Sequence, residues 1–331
     1  MANIREVAKR AGVSVATVSR VLNNSDLVSE ETRERVLEAI KELNYHPNLL
    51  GRNLRRLKTK MVLALMPNVS NPFYARVVKG IEDVAHKNGY NVMLCNTDSD
   101  PEREKAYLDL LKNKLADGVI LMASVMGKDE LTLLAKNYPV VQCCEYIEGA
   151  GASYVSIDNF SAAYKAVKHL INLGHRRIAL ITCKNDFIST RQRETGYRKA
   201  LEDANIEFDE NLIKYGDYSF KSGMRATRQL LSLEEKPTAI FAISDIMAIG
   251  AIKALKEEGF EVPEDVAVVG FDDISFASMY DPALTTVAQP KYDLGCIAME
   301  VLLKHIEGEL EDPQRIFLEH ELVIRESTVK Y

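Results

Sequence analysis

From Met61 onward, short apolar runs alternate with segments of helix length, and no feature of the 331-residue chain restricts its fold more. The runs are MVLALMP, YNVMLCNT, DGVILMA, PVVQCCE, RRIALIT, TAIFAIS and VAVVGFDD. Between them lie FYARVVKGIEDVAHKNG, EREKAYLDLLKNK, AAYKAVKHLINLG and IMAIGAIKALKEEG, several stopping at a glycine, which takes the left-handed turn at a helix end most easily. Strands alternating with helices predict parallel sheets built from α/β units. About 270 residues of this pattern exceed one comfortable hydrophobic core, so two similar doubly wound lobes are expected.

The first residues follow a different period. Asn3 is a good N-cap with Glu6 three residues on, and Ile4, Val7 and Ala8 form the apolar stripe of a first helix that Gly12 ends. Ser14 caps a second helix through VATVSRVLN, with Val18, Val21 and Leu22 on one face and Val15, Ala16, Ser19 and Arg20 pointing elsewhere. A third helix follows Ser29, with Val36, Leu37, Ile40 and Leu43 as its expected buried stripe. Two short helices joined by a tight glycine turn and braced by a third define a small all-α helix-turn-helix head, whose second helix enters the major groove of DNA. Small side chains at Val15 and Ala16 let that helix approach base edges and touch thymine methyls, while Arg20 is long enough to reach guanine O6 and N7 together. Thr17 and Ser19 are placed to bond phosphate oxygens.

Charge divides the chain in the same place. The formal net charge is −6, yet residues 1–60 carry 12 Lys+Arg against 7 Asp+Glu and the remainder 30 against 41. A positive head on a negative body suits a nucleic-acid-binding head, although basic helices are also commonly just solvated faces. No run of about 18 uncharged apolar residues occurs, and MANIREVAKR carries charges where an export signal needs an apolar stretch, so no membrane span and a cytoplasmic location are expected. The five cysteines, Cys95, Cys143, Cys144, Cys183 and Cys296, lack CxxC spacing and read as buried free thiols.

The run IREVAKRAGVSVATVSRVLNNSDLVSEETRERVLEAIKELNYHPNLLGRNLRR resembles the N-terminus of the lactose/galactose repressor family (LacI/GalR) of bacterial transcriptional regulators. The resemblance implies a DNA-binding domain over 1–46, a hinge helix over 47–60, and an effector-binding and dimerisation domain over 61–331. That body would be periplasmic-binding-protein-like, an N-lobe of about 61–158 and 290–320 joined by three crossings to a C-lobe of about 159–289 and 321–331. By itself NLLGRNLRRLKTK reads equally as a plain basic linker. The resemblance implies that it becomes helical on operator DNA, pairs with its twin in the minor groove and wedges Leu54 into a central base step beside Arg55.

Ligands in open α/β sheets bind beyond the carboxyl ends of strands, so candidate residues should follow the apolar runs. After the first run, Asn71 offers donors and acceptors and Phe73 and Tyr74 suit stacking on a flat ring or sugar face, though both aromatics also read as core. Ser189, Arg191 and Arg193 fall before a predicted helix. The resemblance makes Arg193, three residues before a glycine, the cleft arginine, whereas Arg191 reads as a surface ion pair. It also places Tyr218 in the cleft and makes Asp272 the aspartate that takes ligand hydroxyls. Asp245, behind Ser244, joins the set by position, although a carboxylate after a strand is often only a helix cap. PVVQCCEY departs from sugar-binding members, placing Cys144 and Glu145 where an aspartate is common. The aromatic pair, GRNLRR, CCEY and GDYSF are most similar to the nucleoside and purine branches, the cytidine repressor type especially.

Other functions lack their motifs. There is no GxxxxGK loop, GxGxxG turn, GxSxG elbow or HExxH helix, and the six histidines are scattered, so no enzyme, cofactor or metal is expected. A solute-binding transport component would need an export signal. The expected function is a repressor that binds a palindromic operator as a homodimer under the control of a small ligand: a nucleoside, purine or sugar. The alternative is a catabolite-control type of regulator whose body responds to a partner protein.

Overall fold

The computed structural model describes residues 2–22, 27–45, 58–310 and 312–329, which fall into two compact units, 1–58 and 59–331.

The first unit holds three helices, α1 (Ile4–Ala11), α2 (Val15–Leu22) and α3 (Glu30–Glu42). At its start, Asn3 Oδ1 accepts the amides of Arg5 and Glu6 while Glu6 accepts that of Asn3 at 2.9 Å, a reciprocal cap. Gly12 ends α1 at φ +65°, and Arg35 Nη2, which donates to Ala11 O at 2.6 Å, would lie 3.2 Å from any Cβ placed there. The left-handed φ favours glycine in this turn, and a larger residue would also press on the Arg35 guanidinium. Ser14 Oγ accepts the Thr17 amide at 3.1 Å and so caps α2. Val7, Ala8, Ala11, Val18, Val21, Val36 and Ala39 close the core. The expected stripe of α3 needs one correction: Leu37 is 51% exposed, and Ala39 takes the buried place. A helix face repeats at three and four residues, so 36, 39, 40 and 43 align while 37 is turned about 100° away.

The second unit is a pair of six-stranded sheets. The first sheet begins with β1 (Met61–Met66), α4 (Pro72–Lys87), β2 (Asn91–Asn96), α5 (Pro101–Lys112), β3 (Gly118–Leu121), α6 (Lys128–Asn137), β4 (Val140–Cys143) and β5 (Ser153–Ile157). Through α7 (Asn159–Asn172) the chain enters the second: β6 (Ile178–Cys183), α8 (Ile188–Asp203), β7 (Ile213–Gly216), α9 (Phe220–Leu231), β8 (Ala239–Ala242), α10 (Asp245–Glu257), β9 (Ala267–Asp272), α11 (Ser275–Met279) and β10 (Thr285–Ala288). It returns through α12 (Lys291–Glu307) to β11 (Arg315–Leu318) in the first sheet and ends at β12 (Glu321–Val323) in the second. The strand orders are β11-β5-β4-β3-β1-β2 and β12-β10-β9-β8-β6-β7. Every ladder is parallel except β12 on β10.

The seven apolar runs are all strands; in the six interior ones hydrophobicity follows from helices covering both faces, whereas β2 is the edge of its sheet and leaves Met93 and Leu94 exposed. Five further strands carry no such run. In β5, for example, Ser153 and Ser156 are buried, and their hydroxyls meet His305 Nε2 at 2.8 Å and Cys144 O at 2.7 Å, so burial is compatible with polarity. The return helix packs backbone to backbone on α4: a Cβ on Gly295 would stand 1.9 Å from Val77 O.

Candidate functional site

In the first unit the surface of α2 is sorted as a reading helix requires. Val18 and Val21 are buried, Val15, Ala16 and Arg20 are exposed, and Thr17 and Ser19 are half-buried. The Thr17 hydroxyl is 2.9 Å from Ser14 Oγ, within the helix cap. Leu54 and Arg55, and residues 47–57 of the proposed hinge, lie outside the described residues.

In the second unit the carboxyl ends of the strands frame a cavity of about 450 Å³. Eight of the nine cleft candidates line it: Asn71, Phe73, Tyr74, Glu145, Ser189, Arg193, Tyr218 and Asp272. On one side Asn71 Oδ1 accepts the Phe73 amide at 3.0 Å, so its acceptor serves as the N-cap of α4 and Pro72 opens the helix. Phe73 and Tyr74 meet edge to face, ring centres 5.2 Å apart.

Opposite them stands Arg193, 6% exposed. It lies in the second turn of α8 rather than before that helix, as do Ser189 and Arg191 in the first; Arg191 is exposed. Nε of Arg193 donates to Asn159 Oδ1 at 3.0 Å and Nη1 to Ile243 O at 2.7 Å, and the guanidinium lies 3.6 Å from the Phe271 ring centre. Nη1 is 4.0 Å from Asp272 Oδ1, which also accepts Gln289 Nε2 at 2.7 Å. Burial pushes the Asp272 carboxyl up to about 6, against the pull of Arg193, Gln289 and Lys291. Lys291 Nζ donates to the backbone carbonyls of Asp272 and Asp273, the latter at 2.8 Å.

Glu145 comes from the end of β4 and reaches the start of α8. It accepts the Ser189 amide at 3.1 Å and the Ser189 hydroxyl, so its carboxylate caps a helix belonging to the other sheet. Burial raises its affinity for a proton, offset by Ser189 and Arg193. Burial, and then the charge of Glu145, likewise raise the Tyr74 phenol. Tyr218 bonds the Thr190 hydroxyl at 2.9 Å. Five lining residues, Asp98, Ser99, Cys144, Tyr218 and Asp272, have φ between +53° and +114°, a strained region for side chains other than glycine.

Asp245 is a correction. It is fully buried at the start of α10, where Oδ1 accepts the Thr286 hydroxyl at 2.5 Å and Oδ2 the Ile274 amide at 2.8 Å, so it joins the loop after β9 to β10 and does not line the cavity. Sequence reasoning also missed Asn159, Phe187, Thr190, Gln289 and Lys291. All follow strand ends, and that position was the available signal. Asn159, Thr190, Gln289 and Lys291 hold Arg193, Tyr218 and Asp272 through contacts up to 34 residues distant in sequence, and Phe187 lines the cavity.

Among the described residues no cluster of three or more His, Cys, Asp or Glu side chains could hold a metal, and no helix is long and apolar enough to cross a membrane.

A helix-turn-helix unit joined in one chain to a two-sheet body with a polar, partly enclosed cleft defines a DNA-binding regulator with a ligand-binding domain. The family model described as bacterial regulatory proteins, lacI family, matches residues 3–48. That of periplasmic binding proteins and sugar binding domain of LacI family matches 59–326. The chain belongs to the LacI family of bacterial transcriptional repressors. It is 43% identical over 330 residues to the HTH-type transcriptional regulator RegA of Clostridium saccharobutylicum, covering 99% of each chain. It is 38% identical to the HTH-type transcriptional repressor CytR of Escherichia coli (strain K12), over 99% of this chain and 96% of the relative. Among solved structures, the lac repressor dimer bound to operator and the anti-inducer ONPF matches with a TM-score of 0.90 at 29% identity, covering 99% of both chains. These relatives are named as regulators or repressors, not enzymes.

Proposed function

We propose that this repressor binds a palindromic operator as a homodimer in the cytoplasm and that a small uncharged molecule, a nucleoside, purine or sugar, controls it from the cleft of the second unit. In this reading Val15, Ala16 and Arg20 read bases, Thr17 and Ser19 hold phosphates, and Leu54 with Arg55 acts in the minor groove. Residues 1–46, 47–60 and 61–331 are its head, hinge and effector domain.

One observation carries the choice of a small ligand. The cavity of about 450 Å³ sets a buried carboxylate and guanidinium, Asp272 and Arg193, against the aromatic pair Phe73 and Tyr74. Charged hydrogen-bonding groups suit ring hydroxyls, and aromatic faces suit a base or the apolar face of a sugar. A body that responded only to a partner protein would have no use for such a lining. A ligand held by residues of both sheets favours one arrangement of the sheets over others. To shift operator occupancy tenfold it must favour that arrangement by about 1.4 kcal/mol.

A thermal-shift panel of nucleosides, purines and sugars tests this reading. A member that raises the melting temperature of the parent protein and leaves Arg193→Ala unchanged is the expected result. No shift from any member, with the protein responding instead to a protein partner, would overturn it.

A further inference from the structure

The cleft continues beyond Arg193 and Asp272. A second hollow of about 790 Å³ adjoins the first, and the two share Ser99, Glu145, Phe187, Asp217 and Tyr218 as a common wall. The Glu145–Ser189 contact stands at this partition. One side of the hollow is built from the ends of β3 and β4 with the segments that follow them, and the other from the β6–α8 loop and the end of β7.

Gln142, on β4, lines this second hollow and is only 2% exposed. Its Oε1 accepts the Ile147 amide at 2.7 Å. That contact fixes the orientation of the side-chain amide, because a backbone N–H requires an acceptor. Nε2 is thereby left as a buried donor without a hydrogen-bond partner. An unmatched buried donor is costly, and what it lacks is an acceptor oxygen. Around it, Met126, Tyr146, Ile147 and Ile188 provide apolar surface. The charged lining is balanced against anions: Lys128, Lys184 and Arg191 are opposed by Glu145, Glu148, Asp186 and Asp217.

We infer that this hollow is a second ligand chamber, which takes an uncharged ring carrying an acceptor oxygen, and that Gln142 Nε2 donates to that oxygen. Because the chambers share a wall, the ring is either the far half of a two-ring effector whose near half lies against Arg193 and Asp272, or a second copy of a one-ring effector. The inference rests on the reading of the inner cavity as the effector site.

Calorimetric titration of the full-length protein with matched ligands tests it: ribose against cytidine and adenosine, and glucose against cellobiose. In one arm the two-ring member binds about tenfold tighter than its one-ring partner, at one per chain; in the other, the one-ring member binds at two per chain. Gln142→Glu keeps the acceptor for Ile147 and removes the donor. It should abolish the tenfold gain or the second equivalent, and leave binding at the inner site within about twofold. Gln142→Met, which removes the donor and the Ile147 acceptor together, is the second variant should the new carboxyl disturb folding, with melting temperature as the check on the freed amide. Equal affinities at one per chain, unchanged in both variants, would overturn the second chamber alone. Failure of every ligand to bind the parent protein would instead remove the inner effector site, and this inference with it.

Discussion

At Asp272, burial opposes its neighbours. The carboxyl is raised from the ordinary 3.8 to about 6 by burial, while Arg193, Gln289 and Lys291 pull it down. Between those values the folded protein binds the proton and the unfolded chain does not. The stabilising contribution is therefore fully present below the unfolded value and is lost as pH rises through the folded one. Asp272→Asn removes this dependence and keeps an acceptor for Gln289. Its stability relative to the parent should rise between about pH 4 and about pH 7 by roughly 1–3 kcal/mol, read from urea denaturation at each pH. A constant difference would place the titrating group elsewhere. On α2, Arg20→Ala should relax base preference at one position of the operator and cost about 1–3 kcal/mol in a binding-site selection assay. An unchanged preference would mean that another side chain reads that base. Single residues also mark where sequence reasoning stopped. Asp245 and Asp272 both follow apolar runs, and only the long-range contacts of Asp245 to Thr286 and Ile274 distinguish the structural carboxylate from the cleft one.

Among the elements, legibility followed the physics of burial. Helix α1 was readable to both its ends because Asn3, Glu6 and Gly12 act within a few residues of one another. Six of the seven strand runs were readable because central strands covered on both faces need unbroken apolar sequence; the seventh, β2, is an edge strand that keeps an apolar run although Met93 and Leu94 are exposed. The strands without such runs are short, as in β12, or use partnered polar side chains, as in β5, so no local signal announces them. The contact of α4 with α12 is of this non-local kind. Nothing near Gly295 in sequence reveals that the backbone of Val77 lies against it, yet a Cβ there would come within 1.9 Å of Val77 O. Gly295→Ala should destabilise the protein by about 1–3 kcal/mol, seen as a lower urea midpoint, because the helices must move apart to admit a methyl group. An undiminished midpoint would show that the pair yields without loss.

For the whole molecule, the proposed function has the cleft of the second unit govern what the first unit does on DNA. Glu145 and Ser189 join groups anchored on different sheets, as do Lys291 and the carbonyls of Asp272 and Asp273. A ligand that engages Arg193 and Asp272 therefore touches a network that spans both sheets, and a change of about 1.4 kcal/mol in that balance moves operator affinity tenfold. The most direct measurement is the fluorescence anisotropy of a labelled palindromic operator titrated with the full-length protein, with and without a saturating cleft ligand, for the parent and for Arg193→Ala. The account predicts a change of about tenfold or more for the parent, and for the variant an affinity that matches the ligand-free parent and ignores the ligand. Equal operator affinity for the parent with and without a ligand known to fill the cleft would contradict it.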